Sequence, residues 1–203
     1  MIKTILFDLG EVILTNDWHY DCPEKFAAYS EYFSITYDQM EKGWNEAWPL
    51  YELGKITEDT FWGKFLTTAG SNTIDIQKAK TLWRKYFSSK PEMFPILARL
   101  KKNYSLVVLS STGKEWLDYK IEKYHLNDYF SSYITTCNTS LRKTDEKIYN
   151  LVVKRLNIEP QEILFIDDNE KVIQMARQAG LKTILFENPV QLANELSKLH
   201  LFE

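Results

Sequence analysis

The sequence has 203 residues, of which 44% are hydrophobic and 26% are charged, as is typical of a globular chain with one α/β domain and a modest insertion. The net charge of −3 and the scattered Lys and Arg residues argue against a nucleic-acid partner. There are only two cysteines, Cys22 and Cys137, and the apolar stretch near the N-terminus is too short for a signal peptide or a membrane span. We therefore expect a cytoplasmic protein with no membrane partner, either a monomer or a homodimer.

The first predicted element is a strand over residues 4–7, an apolar run that ends at Asp8. Residues 15–87 then lack a strand pattern and are rich in aromatic residues, with breaks at Gly54 and at residues 70–73. This stretch is predicted to be a small helical bundle, inserted after the first strand, whose aromatic side chains pack mainly in its own core.

Beyond the insert, short apolar runs alternate with helical patterns. The predicted strands cover residues 106–109, 132–136, 163–166 and 183–186. The predicted helices cover residues 91–101, 147–156 and 170–179. The alternation predicts the α/β class, a doubly wound (Rossmann-like) parallel sheet with right-handed crossovers, built from residues 1–14 and 88–203.

Polar residues follow three of the predicted strands. Asp8 ends the first, Ser110 follows the second, and Asp167 and Asp168 follow the strand over 163–166. Ligands of doubly wound sheets bind beyond the carboxyl ends of the strands, so these side chains are candidates for one site. Lys143, in the connection over residues 140–144, is a further candidate.

These residue types suit phosphoryl transfer, in which a carboxylate attacks phosphorus and an acyl phosphate forms. Two anions do not approach each other unaided, so a hard cation is needed, and Mg²⁺ prefers carboxylate and carbonyl ligands. Asp8, Asp168 and a backbone carbonyl near Gly10 are candidates to hold it. The alternative is that Asp167 and Asp168 merely cap the helix that starts near Glu170.

Four segments resemble the four motifs of the haloacid dehalogenase-like hydrolase superfamily, in that family's order. They are residues 7–13, the strand ending in Ser110, the segment from Arg142 and Lys143 to Tyr149, and residues 165–169. The resemblance spans almost the whole chain and is strongest to the phosphatase branch with a small helical cap, such as bacterial α-D-glucose-1-phosphate phosphatase. It implies that residues 15–87 form the cap.

The resemblance also implies roles for the candidate residues. Asp8 would be the nucleophile, Ser110 would bind a phosphoryl oxygen, and Lys143 would balance the charge between nucleophile and phosphate. Arg142, beside it, is expected to be an ordinary surface residue.

For the metal, the resemblance implies Mg²⁺ bound by Asp8, by the backbone carbonyl of Gly10 and by Asp168. Asp167 would contact the metal directly or through water.

Three positions depart from the family pattern. Gly10 stands where most of these phosphatases have a second Asp that acts as general acid and base, a group that typically contributes about 10²–10⁴-fold to the rate. Its absence favours substrates with good leaving groups. Ser111 replaces an Asn and Thr144 replaces a Pro, which leaves the geometry of the Lys143 loop open.

Candidate substrate-binding residues are Ser111 and three residues that follow the first strand. Asp17, Trp18 and His19 lie where the hinge of the cap is expected, at the entrance of the site.

The function predicted is a Mg²⁺-dependent phosphatase acting on a small phosphorylated metabolite, with sugar phosphates among the candidates. Two alternatives stay open. A 2-haloacid dehalogenase uses an Asp nucleophile without the second Asp, but it needs no metal, which leaves the Asp167–Asp168 pair without a purpose. A non-catalytic protein that binds a phosphorylated ligand would explain the missing acid.

Overall fold

The computed structural model describes residues 1–15 and 23–202, and its central feature is a five-stranded parallel sheet. The strands are β1 (Thr4–Phe7), β2 (Ser105–Ser110), β3 (Ser132–Thr135), β4 (Ile163–Asp167) and β5 (Lys182–Leu185), in the order β3-β2-β1-β4-β5. All five predicted strands are confirmed, with ends that shift by at most one residue. The predicted strand over 132–136 ends one residue early because Thr136 begins a short helix.

Helices cover both faces of the sheet, as a doubly wound fold requires. In the α/β part they are α5 (Met93–Leu100), α6 (Lys114–Lys123), α7 (Thr136–Thr139), α8 (Glu146–Leu156), α9 (Glu170–Gln178) and α10 (Pro189–Lys198). Successive strand residues point to opposite faces, so Ile5 and Phe7 of β1 pack with α5 and α10, whereas Leu6 packs with α8 and α9. The predicted helices 91–101, 147–156 and 170–179 are confirmed, while α6, α7 and α10 were not predicted.

The strand register brings the carboxyl ends of β1, β2 and β4 level with one another. Phe7 pairs with Val108 on one side and with Ile166 on the other. The backbone N–H of Asp8 donates to the carbonyl of Ile166 at 3.0 Å. The residues just beyond these pairs therefore meet at one edge of the sheet.

The inserted segment is helical where the structure describes it. It contains α1 (Pro23–Phe33), α2 (Tyr37–Tyr51), α3 (Glu58–Thr68) and α4 (Ile76–Lys85), which we call the insert helices. The predicted breaks are confirmed, because Gly54 (φ +68°) follows α2 and Gly70 (φ +72°) follows α3. As predicted, most aromatic side chains of this segment pack in a shared core. Within residues 1–15 and 23–202, every helix is too short or too polar to cross a lipid bilayer.

The insert helices are joined to the α/β part by Trp116 of α6. Its indole lies in the aromatic cluster of the insert helices, and its Nε1 donates to the Glu58 carboxylate at 2.9 Å. Glu58 is only 2% exposed and also pairs with Arg84 at 2.7 Å. Gly113, just before α6, lies against the ring of Tyr51 in α2. A Cβ at this position would overlap that ring, so only glycine allows the two helices to approach this closely.

Glu58→Ala is expected to lower the free energy of unfolding by about 3 kcal/mol. It leaves the buried indole N–H groups of Trp116 and Trp62, and the partly buried Arg84 guanidinium, without their acceptor. Urea denaturation measures the change. Glu46→Ala is the matched control, since Glu46 pairs with Lys64 at the surface and should matter little. Equal stability of the two variants would contradict a structural role for the buried carboxylate.

Candidate active site

The predicted site residues of the α/β part lie together in one cavity of about 430 Å³. Asp8 follows β1, Ser110 ends β2, and Asp167 ends β4 with Asp168 next to it. The predicted residues lining this cavity are Asp8, Gly10, Ser110, Ser111, Lys143, Asp167 and Asp168. The strand register thus brings together side chains separated by more than 150 residues. Asp17, Trp18 and His19 lie outside the described residues.

A buried ammonium group links two carboxylates at the floor of the cavity. Nζ of Lys143 lies 2.7 Å from Oδ2 of Asp167 and 3.1 Å from Oδ2 of Asp8. The three residues are at most 7% exposed. Burial by itself lowers the pKa of Lys143, but the carboxylates of Asp167 and then Asp8 outweigh it, and the pKa lies above its usual value. Lys143 therefore carries its positive charge throughout the physiological pH range.

Asp167 fixes the position of the Lys143 ammonium group. Its Oδ2 accepts from Lys143, and its Oδ1 accepts from the backbone N–H of Asn169 at 2.9 Å. Its pKa is raised, first by burial and then by the neighbouring Asp8, although Lys143 opposes both effects. Both of its carboxylate oxygens accept hydrogen bonds, so Asp167 has a fixed orientation and holds the Lys143 ammonium group in place.

Asp8, Asp167 and Asp168 form a cluster suited to a hard cation. One carboxylate oxygen from each lies within 4.8 Å of the other two. Oδ1 of Asp8 is buried, and no hydrogen-bond donor among the described residues reaches it. Partial desolvation and the charges of Asp8 and Asp167 raise the pKa of Asp168 to about 6. An orphaned buried oxygen among three carboxylates fits a divalent cation with oxygen ligands.

Helix capping does not account for the two adjacent carboxylates. The N-cap of α9 is Asn169, whose side chain accepts from the backbone N–H groups of Lys171 and Val172. The alternative role raised for Asp167 and Asp168 is therefore filled by their neighbour.

The loop that carries Lys143 is held by Tyr149 of α8. The Tyr149 hydroxyl donates to the carbonyl of Lys143 at 2.6 Å and lies 3.1 Å from the carbonyl of Val172. Tyr149 is fully buried, so this contact is shielded from water. It gives the loop a fixed position although Thr144 stands where the family pattern has Pro. Sequence analysis placed Tyr149 in a motif without recognising this role.

The cavity wall contains residues that sequence analysis did not assign to the site. Among them are Trp44, Trp48, Glu52, Trp83, Trp116, Lys120 and Arg142. Trp83 and Trp116 are buried, as expected of core residues, but Trp44 and Trp48 are only partly buried. Arg142 is exposed at the surface, as expected, and its Nε also lies 2.8 Å from the Glu52 carboxylate at the cavity wall. The spacing of four residues between Trp44, Trp48 and Glu52 was the available signal, since it places them on one helix face.

The chain is similar to known hydrolases in sequence. A sequence model of the haloacid dehalogenase-like hydrolases matches residues 2–180. Flavin mononucleotide hydrolase 1 of Arabidopsis thaliana is 26% identical over 98% of this chain and 78% of its own length. D-ribitol-5-phosphate phosphatase of Bacteroides thetaiotaomicron is 25% identical over 97% of this chain and 98% of its own length.

A solved structure shows the same fold. A haloacid dehalogenase-family enzyme of Bacteroides thetaiotaomicron, in complex with magnesium and inorganic phosphate, superposes with a TM-score of 0.79. The match covers 95% of this chain and 99% of that one at 22% identity. At this identity the likeness establishes the architecture.

Tyr149→Phe should lower the free energy of unfolding by about 1–2 kcal/mol and reduce turnover, because it frees the Lys143 loop and leaves a buried carbonyl unpaired. Denaturation and kcat measure the two effects. Tyr133→Phe is the matched control, since that hydroxyl bonds the exposed Asn127. Unchanged kcat in Tyr149→Phe would contradict the anchoring role.

Saturating Mg²⁺ is expected to raise Tm by about 5–10 °C over the value in EDTA, the size expected when a ligand is present at about 100 times its Kd. Asp168→Asn should lose this rise. In EDTA the same variant should be at least as stable as the wild type, because it removes one of three clustered negative charges. Asp118→Asn, on the exposed face of α6, is the control. A full Mg²⁺ response in Asp168→Asn would exclude Asp168 as a ligand.

Proposed function

The chain belongs to the haloacid dehalogenase-like hydrolase family, and we propose that it is a Mg²⁺-dependent phosphatase that hydrolyses a small phosphate monoester through an aspartyl phosphate on Asp8. The observation that carries this proposal is the Asp8 carboxylate, held by Lys143 beside two further carboxylates at the floor of the cavity. The two relatives named above, one a hydrolase of flavin mononucleotide and one a phosphatase of D-ribitol 5-phosphate, support a phosphorylated metabolite as substrate.

The residues fit the cation that this chemistry requires. Asp8, Asp168 and the carbonyl of Gly10 would hold Mg²⁺, with Asp167 behind them because its oxygens already accept from Lys143 and Asn169. Bound there, Mg²⁺ supplies positive charge that lets a carboxylate and a phosphoryl group approach each other.

In the first step, a carboxylate oxygen of Asp8 forms a bond to phosphorus while the ester oxygen leaves with its electron pair. Lys143 remains protonated and offsets charge on the phosphoryl oxygens. Ser110, 3% exposed at the end of β2, offers a hydroxyl donor to one of them, and Ser111 lies beside it in the cavity wall. The leaving oxygen takes a proton from water, because residue 10 carries no carboxyl group.

In the second step, water attacks phosphorus, the bond to Asp8 breaks, and inorganic phosphate leaves. Without an acid at residue 10, the rate of the first step depends strongly on the leaving group. We expect phosphate esters of ordinary alcohols to be hydrolysed more slowly than acyl or anomeric phosphates, unless tighter binding of the ester offsets its poorer leaving group.

We assign the insert helices to the cap of this enzyme, over residues 15–87, with the α/β core in residues 1–14 and 88–203. The tryptophans of α2 and the Glu52–Arg142 pair close the cavity above Asp8 and keep bulk water from the aspartyl phosphate. Asp17, Trp18 and His19 are assigned to the entrance on their position in the sequence.

The direct test is phosphate release from a panel of sugar phosphates, acetyl phosphate, flavin mononucleotide and D-ribitol 5-phosphate, with Mg²⁺ and with EDTA. The proposal predicts release that requires Mg²⁺. Halide release from a 2-haloacid without Mg²⁺ would support the dehalogenase reaction instead. Tight binding of these esters with no turnover would indicate a non-catalytic phospho-ligand-binding protein.

Asp8→Asn is expected to reduce kcat by about 10⁴-fold or more, the scale seen when a nucleophile is removed. Phosphate release measures the loss, and circular dichroism checks that the variant folds. Asp118→Asn should retain wild-type turnover because that carboxylate pairs with Lys114 at the surface. Turnover near wild type in Asp8→Asn would refute the nucleophile assignment.

A further inference from the structure

We propose that the substrate carries a flat aromatic ring, joined to its phosphate by a short polar chain, and that this ring stacks on Trp44 and Trp48. The proposal rests on the proposed function, since it takes the phosphate to lie against Asp8 and Lys143. It goes further by stating what the rest of the molecule must look like.

One face of α2 runs along the cavity. Trp44, Trp48 and the C-cap residue Glu52 are spaced four residues apart, and all three line the cavity. Four residues advance about 6 Å along a helix, so the three side chains form a stripe about 12 Å long.

The Glu52 end of this stripe lies nearest to the phosphate site. Oε1 of Glu52 is 2.8 Å from Nε of Arg142, the residue before Lys143. The Ser140 hydroxyl, on the same loop, donates to the carbonyl of Leu53 at 3.4 Å. Along α2, Trp48 lies about one helical turn and Trp44 about two turns from Glu52.

The far end of the stripe is a stack of indoles. Trp44 and Trp48 are nearly parallel, with planes 13° apart and centroids 5.1 Å apart. Trp48 and Trp116 differ by 21° at 5.6 Å. Trp116 and Trp83 are buried behind them, whereas Trp44 and Trp48 are partly buried at the cavity wall. A flat ring that enters the cavity would extend this stack.

The Glu52 end of the stripe is polar. The Glu52 carboxylate and the Arg142 guanidinium offer an acceptor and several donors between the phosphate site and the indoles. Hydroxyl groups on a chain of a few carbon atoms would match both. The cavity volume of about 430 Å³ is within the range of pockets that enclose a whole metabolite, well beyond what a phosphoryl group alone occupies.

Flavin mononucleotide and D-ribitol 5-phosphate form a matched pair of probes. Both present a primary phosphate on a five-carbon polyol chain, and only the first carries a ring. Their Kd values are measured on Asp8→Asn with Mg²⁺, so that binding is read without turnover. Stacking predicts that flavin mononucleotide binds about 10- to 100-fold more tightly, with its fluorescence quenched by the adjacent indole.

Substitutions of the two indoles test whether the ring of flavin mononucleotide stacks on them. Trp48→Leu and Trp44→Leu, each in the Asp8→Asn background, should bring the two Kd values closer and reduce the quenching. Trp48→Phe should keep most of the preference because it keeps an aromatic face. Tyr32→Leu is the control, since Tyr32 is an exposed aromatic residue of α1 that does not belong to the cavity lining.

Equal Kd values for the two probes, or a preference that both leucine variants leave intact, would overturn the proposal. Its failure is distinct from failure of the proposed function. If the wild type hydrolyses other esters but binds the two probes equally, only the ring assignment falls. If the wild type hydrolyses no phosphate ester, the enzyme assignment falls, and the ratio of Kd values still decides whether the stripe binds a ring.

Discussion

The contact of the Lys143 ammonium group with Asp8 and Asp167 is the interaction on which the rest of the site depends. Adjacent parallel strands place both carboxylates at the same edge of the sheet, where burial and the neighbouring Asp8 raise the pKa of Asp167. A single buried ammonium, 2.7 and 3.1 Å from them, keeps them together. It offsets two negative charges with one, and Asp168 adds a third. The site is thus built with an excess of negative charge that a divalent cation relieves.

The insert helices place apolar aromatic side chains in the wall of the cavity above this charged floor. Glu58 of α3 and Trp116 of α6 join the two parts of the molecule through a buried charge-assisted hydrogen bond, and Glu52 and Arg142 join them again at the cavity itself. Arg142 of the second contact is adjacent to Lys143 in sequence. A shift of the insert helices would therefore move the loop that positions the ammonium group. Tyr149 resists such a shift from the opposite side by holding the carbonyl of Lys143. The position of the insert helices and the position of the ammonium group are therefore linked through one short loop.

The sheet and most of its site could be read from the sequence because they depend on local patterns. Apolar runs that end in Asp8, Ser110 and Asp167 place these residues at strand ends. Parallel pairing then brings the three strand ends to the same edge of the sheet. The helix α6 was missed because few of its residues are apolar, and its main packing residue, Trp116, inserts into a distant part of the chain. The roles of Trp48 and Arg142 depend on which face of α2 meets the cavity and on a pairing across 90 positions of sequence. Contacts between residues this far apart in the chain produce no pattern in the local sequence from which they could be predicted.

The measurement that tests the central claim most directly is chemical trapping of the aspartyl phosphate. The enzyme is mixed with Mg²⁺ and a substrate, quenched, and reduced with borohydride, which converts an acyl phosphate to an alcohol. Peptide mass spectrometry should then find homoserine at residue 8 only when both Mg²⁺ and substrate were present. Rapid release of phosphate with residue 8 always recovered as unmodified Asp would contradict the account, because water would then attack the substrate without a covalent intermediate.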